Sequence, residues 1–262
     1  FIAYYPHPKS CIYKLNSRCI KMKEYRLDNL TIKEHLLELA ERGNKSFAES
    51  LNPGVEHVLG IRIPDLRKLA VRISHTDWEE YLLTADTFYM EERMLQGMVL
   101  GCIKPDADVE YYLQRVTRFV WIINSWSVCD TFKFGGGKRF VAENKERLWH
   151  YLVGWMHAQG EYEIRFGVVM SMQLFIDDEH IEQLLEEYDA IRHDGYYVKM
   201  AVAWALSVCF VKFPEITMRY LKQNNALDDF TYNKTLQKII ESYRVDAETK
   251  KLIKQMKRTA TR

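Results

Sequence analysis

The stretch Val109-Glu110-Tyr111-Tyr112-Leu113-Gln114-Arg115-Val116-Thr117-Arg118-Phe119-Val120 decides the fold class. Val109, Tyr112, Leu113, Val116 and Val120 follow the i, i+3, i+4, i+7 rhythm, which lines apolar side chains along one face of an α-helix. The same punctuation runs outward in both directions. Thr31 and Glu34 have capping-box spacing ahead of Leu36, Leu37 and Ala40, and Gly43 stops that run. Pro64 suits a first helical turn before Leu66, Leu69, Ala70 and Ile73, and Thr76 with Glu79 repeats the capping box. Further helices are predicted over 142–157, 161–175, 178–190, 195–212, 214–223, 227–242 and 246–258. No stretch alternates long enough for a strand; Val58 to Ile63 and Phe119 to Ile123 are short β-like runs beside helical patterns. The expectation is an all-α protein of about a dozen helices with short connections.

Many short helices raise the question of repeats. Trp126 to Arg165 is 39 residues, and Arg165 to Trp204 is 39 again. Helix-pair repeats of the HEAT or armadillo type run about 40–47 residues, and residues one period apart line a common surface. Trp126, Arg165 and Trp204 are therefore expected to share one concave face.

Composition narrows the class. The 262 residues are 47% hydrophobic and 28% charged, with 37 basic against 36 acidic side chains, so no global field points to a polyanionic partner. The longest apolar run, Met200 to Leu206, falls far short of the roughly 20 residues of a membrane-spanning helix. Cys11, Cys19, Cys102, Cys129 and Cys209 are odd in number and form no CxxC, which argues against a disulfide framework or thiolate zinc site. The chain reads as cytoplasmic. Residues 1–21 contain Tyr4, Pro6, His7, Pro8 and Lys9 where a signal peptide needs an apolar core. They are expected to form a poorly ordered extension ahead of a single helical domain over 22–262.

Chemistry concentrates in Asn124-Ser125-Trp126-Ser127-Val128-Cys129-Asp130. Ser125 suits an N-cap, which puts Trp126 and Asp130 one turn apart on one face. An aromatic plane beside a carboxylate suits a cationic or oxocarbenium-like species. The competing possibility is a packed tryptophan with Asp130 paired to an arginine. Arg165 lies in a helix apolar on most sides, where a charge must be paired or face a cleft. Trp204 occupies another largely apolar helix, in which a purely core role is equally open.

These residues belong to longer motifs. Gly60-Ile61-Arg62-Ile63-Pro64-Asp65-Leu66-Arg67-Lys68-Leu69 comes first, then Asn124-Ser125-Trp126 with Asp130, then Ile164-Arg165-Phe166-Gly167-Val168-Val169-Met170. Tyr196-Tyr197-Val198-Lys199-Met200-Ala201-Val202-Ala203-Trp204 and Asn233-Lys234-Thr235-Leu236-Gln237-Lys238 through Glu241-Ser242-Tyr243-Arg244 follow. In this order and spacing they resemble the DNA alkylation repair enzymes of AlkD type over about residues 25–250. The resemblance implies a HEAT-like α-α solenoid whose concave face holds double-stranded DNA. It also implies hydrolysis of the N-glycosidic bond of N3- or N7-alkylated purines, without metal or other cofactor and without flipping the base into a pocket. By position it assigns Trp126, Asp130 and Trp204 to the surroundings of the lesion's deoxyribose and Arg165 to the cleft. The sequence departs at Ser207, where the well-known active members carry an arginine, and no cleft aromatic aligns near Phe47 or His57. A non-catalytic HEAT-like module for DNA or protein binding is the alternative.

Charge is segregated along the chain. Residues 233–262 hold nine Lys or Arg against three acids, whereas 161–195 hold ten acids against two arginines. Lys133, Lys138, Arg139, Lys199, Lys234, Lys238 and Arg244 are the expected phosphate contacts. Gly135-Gly136-Gly137 reads as a flexible turn, His150 with His157 as too sparse for a metal site, and Cys129 as a packed thiol. A monomer is expected.

Overall fold

A computed structural model describes residues 24–105, 108–223 and 225–259, so the expectation for residues 1–21 lies outside the described residues. Asp28 and Asn29 both adopt positive φ, 50° and 67°, as a tight hairpin turn requires. They join two-residue strands β1 (Arg26–Leu27) and β2 (Leu30–Thr31), too short to leave an alternation in the sequence. Thr31 then caps α1 (Ile32–Ala40): its hydroxyl accepts from the Glu34 amide, and Glu34 Oε2 accepts from the Thr31 amide at 2.7 Å.

Fourteen more helices follow among the described residues: α2 (Lys45–Leu51), α3 (Ile63–Ser74), α4 (Trp78–Thr84), α5 (Met90–Cys102), α6 (Val109–Ile122), α7 (Trp126–Asp130), α8 (Gly137–Glu143), α9 (Lys145–Met156), α10 (Glu161–Leu174), α11 (Ile181–Ala190), α12 (Tyr196–Lys212), α13 (Pro214–Lys222), α14 (Asp229–Glu241) and α15 (Ala247–Gln255). The protein is all-α. The β-like run Phe119 to Ile123 is the end of α6 and its C-cap: Phe119 and Val120 fall on the face that α6 already buries, whereas Trp121 and Ile122 are half-buried. The second capping box shifts by one residue: Asp77 accepts from the Glu80 amide at 3.0 Å. Thr76 instead donates to Ile73 O at 2.8 Å and pairs with the Tyr25 hydroxyl. The helix expected over 142–157 divides at Asn144, whose amide and side chain both bond to Phe140 O and close α8.

Packing organises these helices into two rows. Along the first, α3 packs on α5, α5 on α7, α7 on α10, α10 on α12 and α12 on α14. Helices α6, α9, α11, α13 and α15 each lie against a member of that row, with α11 touching α9 and α13. Each pair buries its apolar stripes only by stacking on the next, which is the logic of a helical repeat array. From α5 onward, members of the first row begin at residues 90, 126, 161, 196 and 229, a period of about 35 rather than 39; α3, at residue 63, stands outside that period. The consequence is a stagger. Trp126 opens α7, Arg165 is fifth in α10 and Trp204 is ninth in α12, so the three descend by about one turn per helix.

Behind α7 the core is aromatic. Phe119 and Phe132 stack at 5.2 Å, Phe132 meets Phe134 edge-on at 5.1 Å, and Phe166 lies 5.4 Å from Phe132. Burying each such ring contributes about 1.5–3 kcal/mol. The glycine triplet is pinned rather than flexible. The Gly135 amide donates to the Tyr112 hydroxyl at 2.7 Å, and a Cβ at Gly135 would stand 2.4 Å from Ile103 O. Gly136 has φ +70°, a conformation that favours glycine.

Candidate functional site

Helix α7 spans only five residues, too few to hold itself in water. Its support comes from both ends. Ser125 Oγ accepts from the Val128 amide at 3.2 Å, and Val128, Cys129 and Phe132 are buried without exposure. Helix α2 braces the opposite side. Trp126 Nε1 donates to Leu51 O at 2.8 Å, and the Ser127 hydroxyl donates to Asn52 Oδ1 at 2.7 Å. These anchors leave Trp126 half-buried at the start of the helix and bring Asp130 to the same face, one turn on.

Asp130 meets Arg165. Arg165 Nε donates to Asp130 Oδ1 at 3.0 Å and Nη2 donates to Oδ2 at 2.7 Å, while Nη1 donates to Tyr197 O at 2.9 Å. The side chains of Arg165 and Asp130 are only 6% and 16% exposed. They lie 35 residues apart, each fifth in its helix, so the repeat itself sets them at one level on adjacent helices. The fork geometry fixes the carboxylate plane. Tyr197 is held in turn: its amide donates to Glu161 Oε1 at 2.7 Å, and its ring stacks on Tyr162 at 5.7 Å. One network thus ties α7, α10 and α12 together.

Of the two possibilities open for Asp130, the arginine pairing is what the geometry contains. It does not exhaust the carboxylate, because each oxygen offers two lone pairs and Arg165 takes one from each. Trp204 is half-buried on α12. Ser207 is buried, and its hydroxyl turns back to donate to Trp204 O at 2.7 Å, so this position extends no polar group from the helix. Cys129 is a packed thiol, its pKa pushed well up by burial and next by the Asp130 charge.

The predicted cations separate into groups. Lys238, half-buried on α14, has its pKa lowered chiefly by burial; Lys234 and Arg165 lower it further, opposed by Glu241. Lys234 reaches over the Phe230 ring at 5.8 Å and donates to Gln237 Oε1 at 3.0 Å. Lys199, by contrast, lies between Asp194 at 3.2 Å and Asp228 at 3.6 Å. Arg139 pairs with Glu143 at 2.7 Å, and Lys133, Lys138 and Arg244 are exposed.

Glu161, Tyr197, Leu51 and Asn52 were not anticipated. Glu161 and Tyr197 stand at the starts of successive helices, which only the true period would have linked. Phe47 lies exposed on α2, the helix that anchors Trp126, and His57 stacks on Phe88 at 3.8 Å. His150 faces Glu146 and His157 pairs with Glu187 at 2.7 Å, so the two histidines have separate partners. Asp177, Glu179 and His180 converge on α11's entry, but the Lys145 ammonium sits there, 3.0 Å from Asp177 and 2.6 Å from Glu179.

Among the described residues no helix is long and apolar enough to cross a membrane. A family model described as DNA alkylation repair enzyme matches residues 32–239. A comparison with curated proteins gives no match, and one with solved structures gives none.

Proposed function

Since the chain belongs to the DNA alkylation repair enzyme family, and with it to DNA repair, we propose that it hydrolyses the N-glycosidic bond of N3- or N7-alkylated purines in duplex DNA. The observation that carries this reading is the Asp130 carboxylate: mostly withdrawn from water, oriented by two bonds from Arg165, and one turn from the half-buried Trp126.

The chemistry follows from the lesion. An alkylated purine carries positive charge, so the C1′–N bond breaks with its electron pair passing to the base, and leaving-group protonation is less necessary. Positive charge then develops on the deoxyribose. A fixed carboxylate stabilises that charge without reorganising at the moment of reaction. The lone pairs that Arg165 leaves unused face the sugar or accept a hydrogen bond from the attacking water, whose oxygen bonds to C1′ as its proton passes to the carboxylate or to solvent. The faces of Trp126 and Trp204 add cation–π attraction. The guanidinium itself opposes a nearby cation, so its contribution is orientation rather than charge. Lys238 and Lys234, with exposed Lys133, Lys138, Arg139 and Arg244, hold phosphates; Lys199 contributes less because two carboxylates already neutralise it.

One feature favours a second reading. Asp130 already has a counterion, and a bidentate pair between helices is also a sound strut. A non-catalytic module that binds DNA or a protein on the same face needs nothing more. The two readings part on release of 7-methylguanine and 3-methyladenine from methylated duplex, measured for the wild type beside Asp130→Asn with duplex binding in parallel. The glycosylase reading expects release by the wild type, falling about 10²–10³-fold in Asp130→Asn, while binding to duplex persists. Folded wild type that binds duplex and releases no base establishes the second reading.

A further inference from the structure

Away from the Asp130 network, a cavity of about 270 Å³ opens between the segment before β1, helices α1 and α4, and the start of α5. Tyr81 forms part of its wall with no exposed surface, and the Tyr81 hydroxyl has no hydrogen-bond partner. A buried hydroxyl left in this state costs free energy until something bonds to it. Glu92 lies beside it, 5% exposed. Its Oε1 accepts from the Asp86 amide at 3.2 Å, whereas Oε2 takes no hydrogen bond and no basic side chain pairs with the carboxylate among the described residues. The spare acceptor sites of Glu92 Oε2 therefore border the cavity, while the Tyr81 hydroxyl is sealed behind its wall.

The walls say what would satisfy them. Tyr25 meets Tyr81 edge-on at 5.6 Å, and Phe88 stands at the mouth, 49% exposed. Among the described residues Glu24, Asp86 and Glu92 border the space against one cation, the exposed Lys33. Aromatic faces with an excess of carboxylate attract an organic cation. A guanidinium would want two parallel acceptors on one carboxylate, but the Asp86 amide already occupies Oε1. A calcium ion would want six to eight oxygens. A primary ammonium needs only point contacts, and its N–H groups can donate to Glu92 Oε2 while its alkyl stem lies against the aromatic side chains.

We propose that this cavity is a binding site for a small organic cation with a primary ammonium head. The proposal is independent of the glycosylase reading. Binding is pH-dependent. Burial, and then Asp86, push the Glu92 pKa up to about 7, against the opposing effects of the Asp86 amide, Lys33 and Arg93. Below that pH Glu92 takes up a proton and its attraction for the cation is lost.

The test is calorimetric titration of the full chain at pH 8 with n-butylammonium, using n-butanol as the uncharged control. Saturable binding of the ammonium and none of the alcohol is expected. From pH 8 to pH 6 affinity should fall about tenfold, the ratio of ionised Glu92 for a midpoint near 7. Glu92→Gln keeps an acceptor for the Asp86 amide and should weaken binding at least about tenfold; Phe88→Ala removes an aromatic face at the mouth and should weaken it about threefold. Circular dichroism checks that both variants fold. No saturable binding at pH 8, equal binding of butanol, or affinity unchanged in both folded variants overturns the proposal.

Discussion

Asp130 and Glu92 are the same functional group on packed neighbours of one helix row, and the fold provides for them in opposite ways. Asp130 is fifth in α7 and has at its level the fifth residue of α10, Arg165, with two hydrogen bonds between them. Glu92 is third in α5, where the third residue of α7 is Val128; among the described residues its only hydrogen bond is from the Asp86 amide. Glu91 shows a middle course, with the amides of Leu59 at 3.0 Å and Gly60 at 2.6 Å as donors. Glu91 and Glu92 are buried and Asp130 is half-buried. What differs is the residue one repeat away, so in an array of this kind the period decides which buried charges have partners.

The largest effect should come from breaking the paired site. Arg165→Met leaves Asp130 without a counterion and is expected to cost about 3–5 kcal/mol in denaturant unfolding. Asp130→Asn combined with Arg165→Met removes both charges and should recover most of that loss. A single variant that costs under about 1 kcal/mol would mean that the pair behaves as a surface contact.

The unpaired site should respond to pH, with a smaller effect. The folded-state pKa of Glu92, about 7, lies above the ordinary 4.5, so folding takes up a proton between these values. Stability attributable to protonated Glu92 is present at low pH and is lost as pH rises through about 7. Glu92→Gln should therefore be more stable than the wild type at pH 8 by about 1–2 kcal/mol, the difference vanishing near pH 5. Melting curves across this range check the sign, and a larger difference at low pH would contradict it.

A third comparison concerns the cations. Lys238→Ala should weaken duplex binding by about tenfold and lower the slope of log K against log salt by about one. Lys199→Ala, which removes a charge already held by Asp194 and Asp228, should change the slope by much less. Equal effects would mean that these ion pairs open on binding DNA.

Much of this was legible in the sequence, for reasons that particular residues make plain. The rhythm of Val109 to Val120 defines α6 because period and burial agree there. Ser125 as the cap of α7 followed from side-chain chemistry alone. The repeat was legible but its period was not. Trp126, Arg165 and Trp204 catch the eye because two are tryptophans and the third is a charge in a largely apolar helix, and their spacing measures the repeat plus one helical turn. The helix starts Glu161 and Tyr196, which the predicted helices over 161–175 and 195–212 mark to within a residue, give the 35-residue period. It is that period which joins Asp130 to Arg165. Helix α2 escaped notice because it buries no residue fully, so its anchoring of Trp126 through Leu51 O leaves no apolar pattern. The cavity at Tyr81 and Glu92 arises from what those side chains fail to meet, which no spacing records.

The most direct test of the central claim is to separate the strut from the chemistry. Base release from methylated duplex would be measured for the wild type and for the charge-free double variant Asp130→Asn with Arg165→Met, at matched folded fractions. The account predicts a double variant that is folded, binds duplex and releases alkylated purine at least about 10²-fold more slowly than the wild type. Release at the wild-type rate from the double variant would show that Asp130 serves the fold and not the reaction.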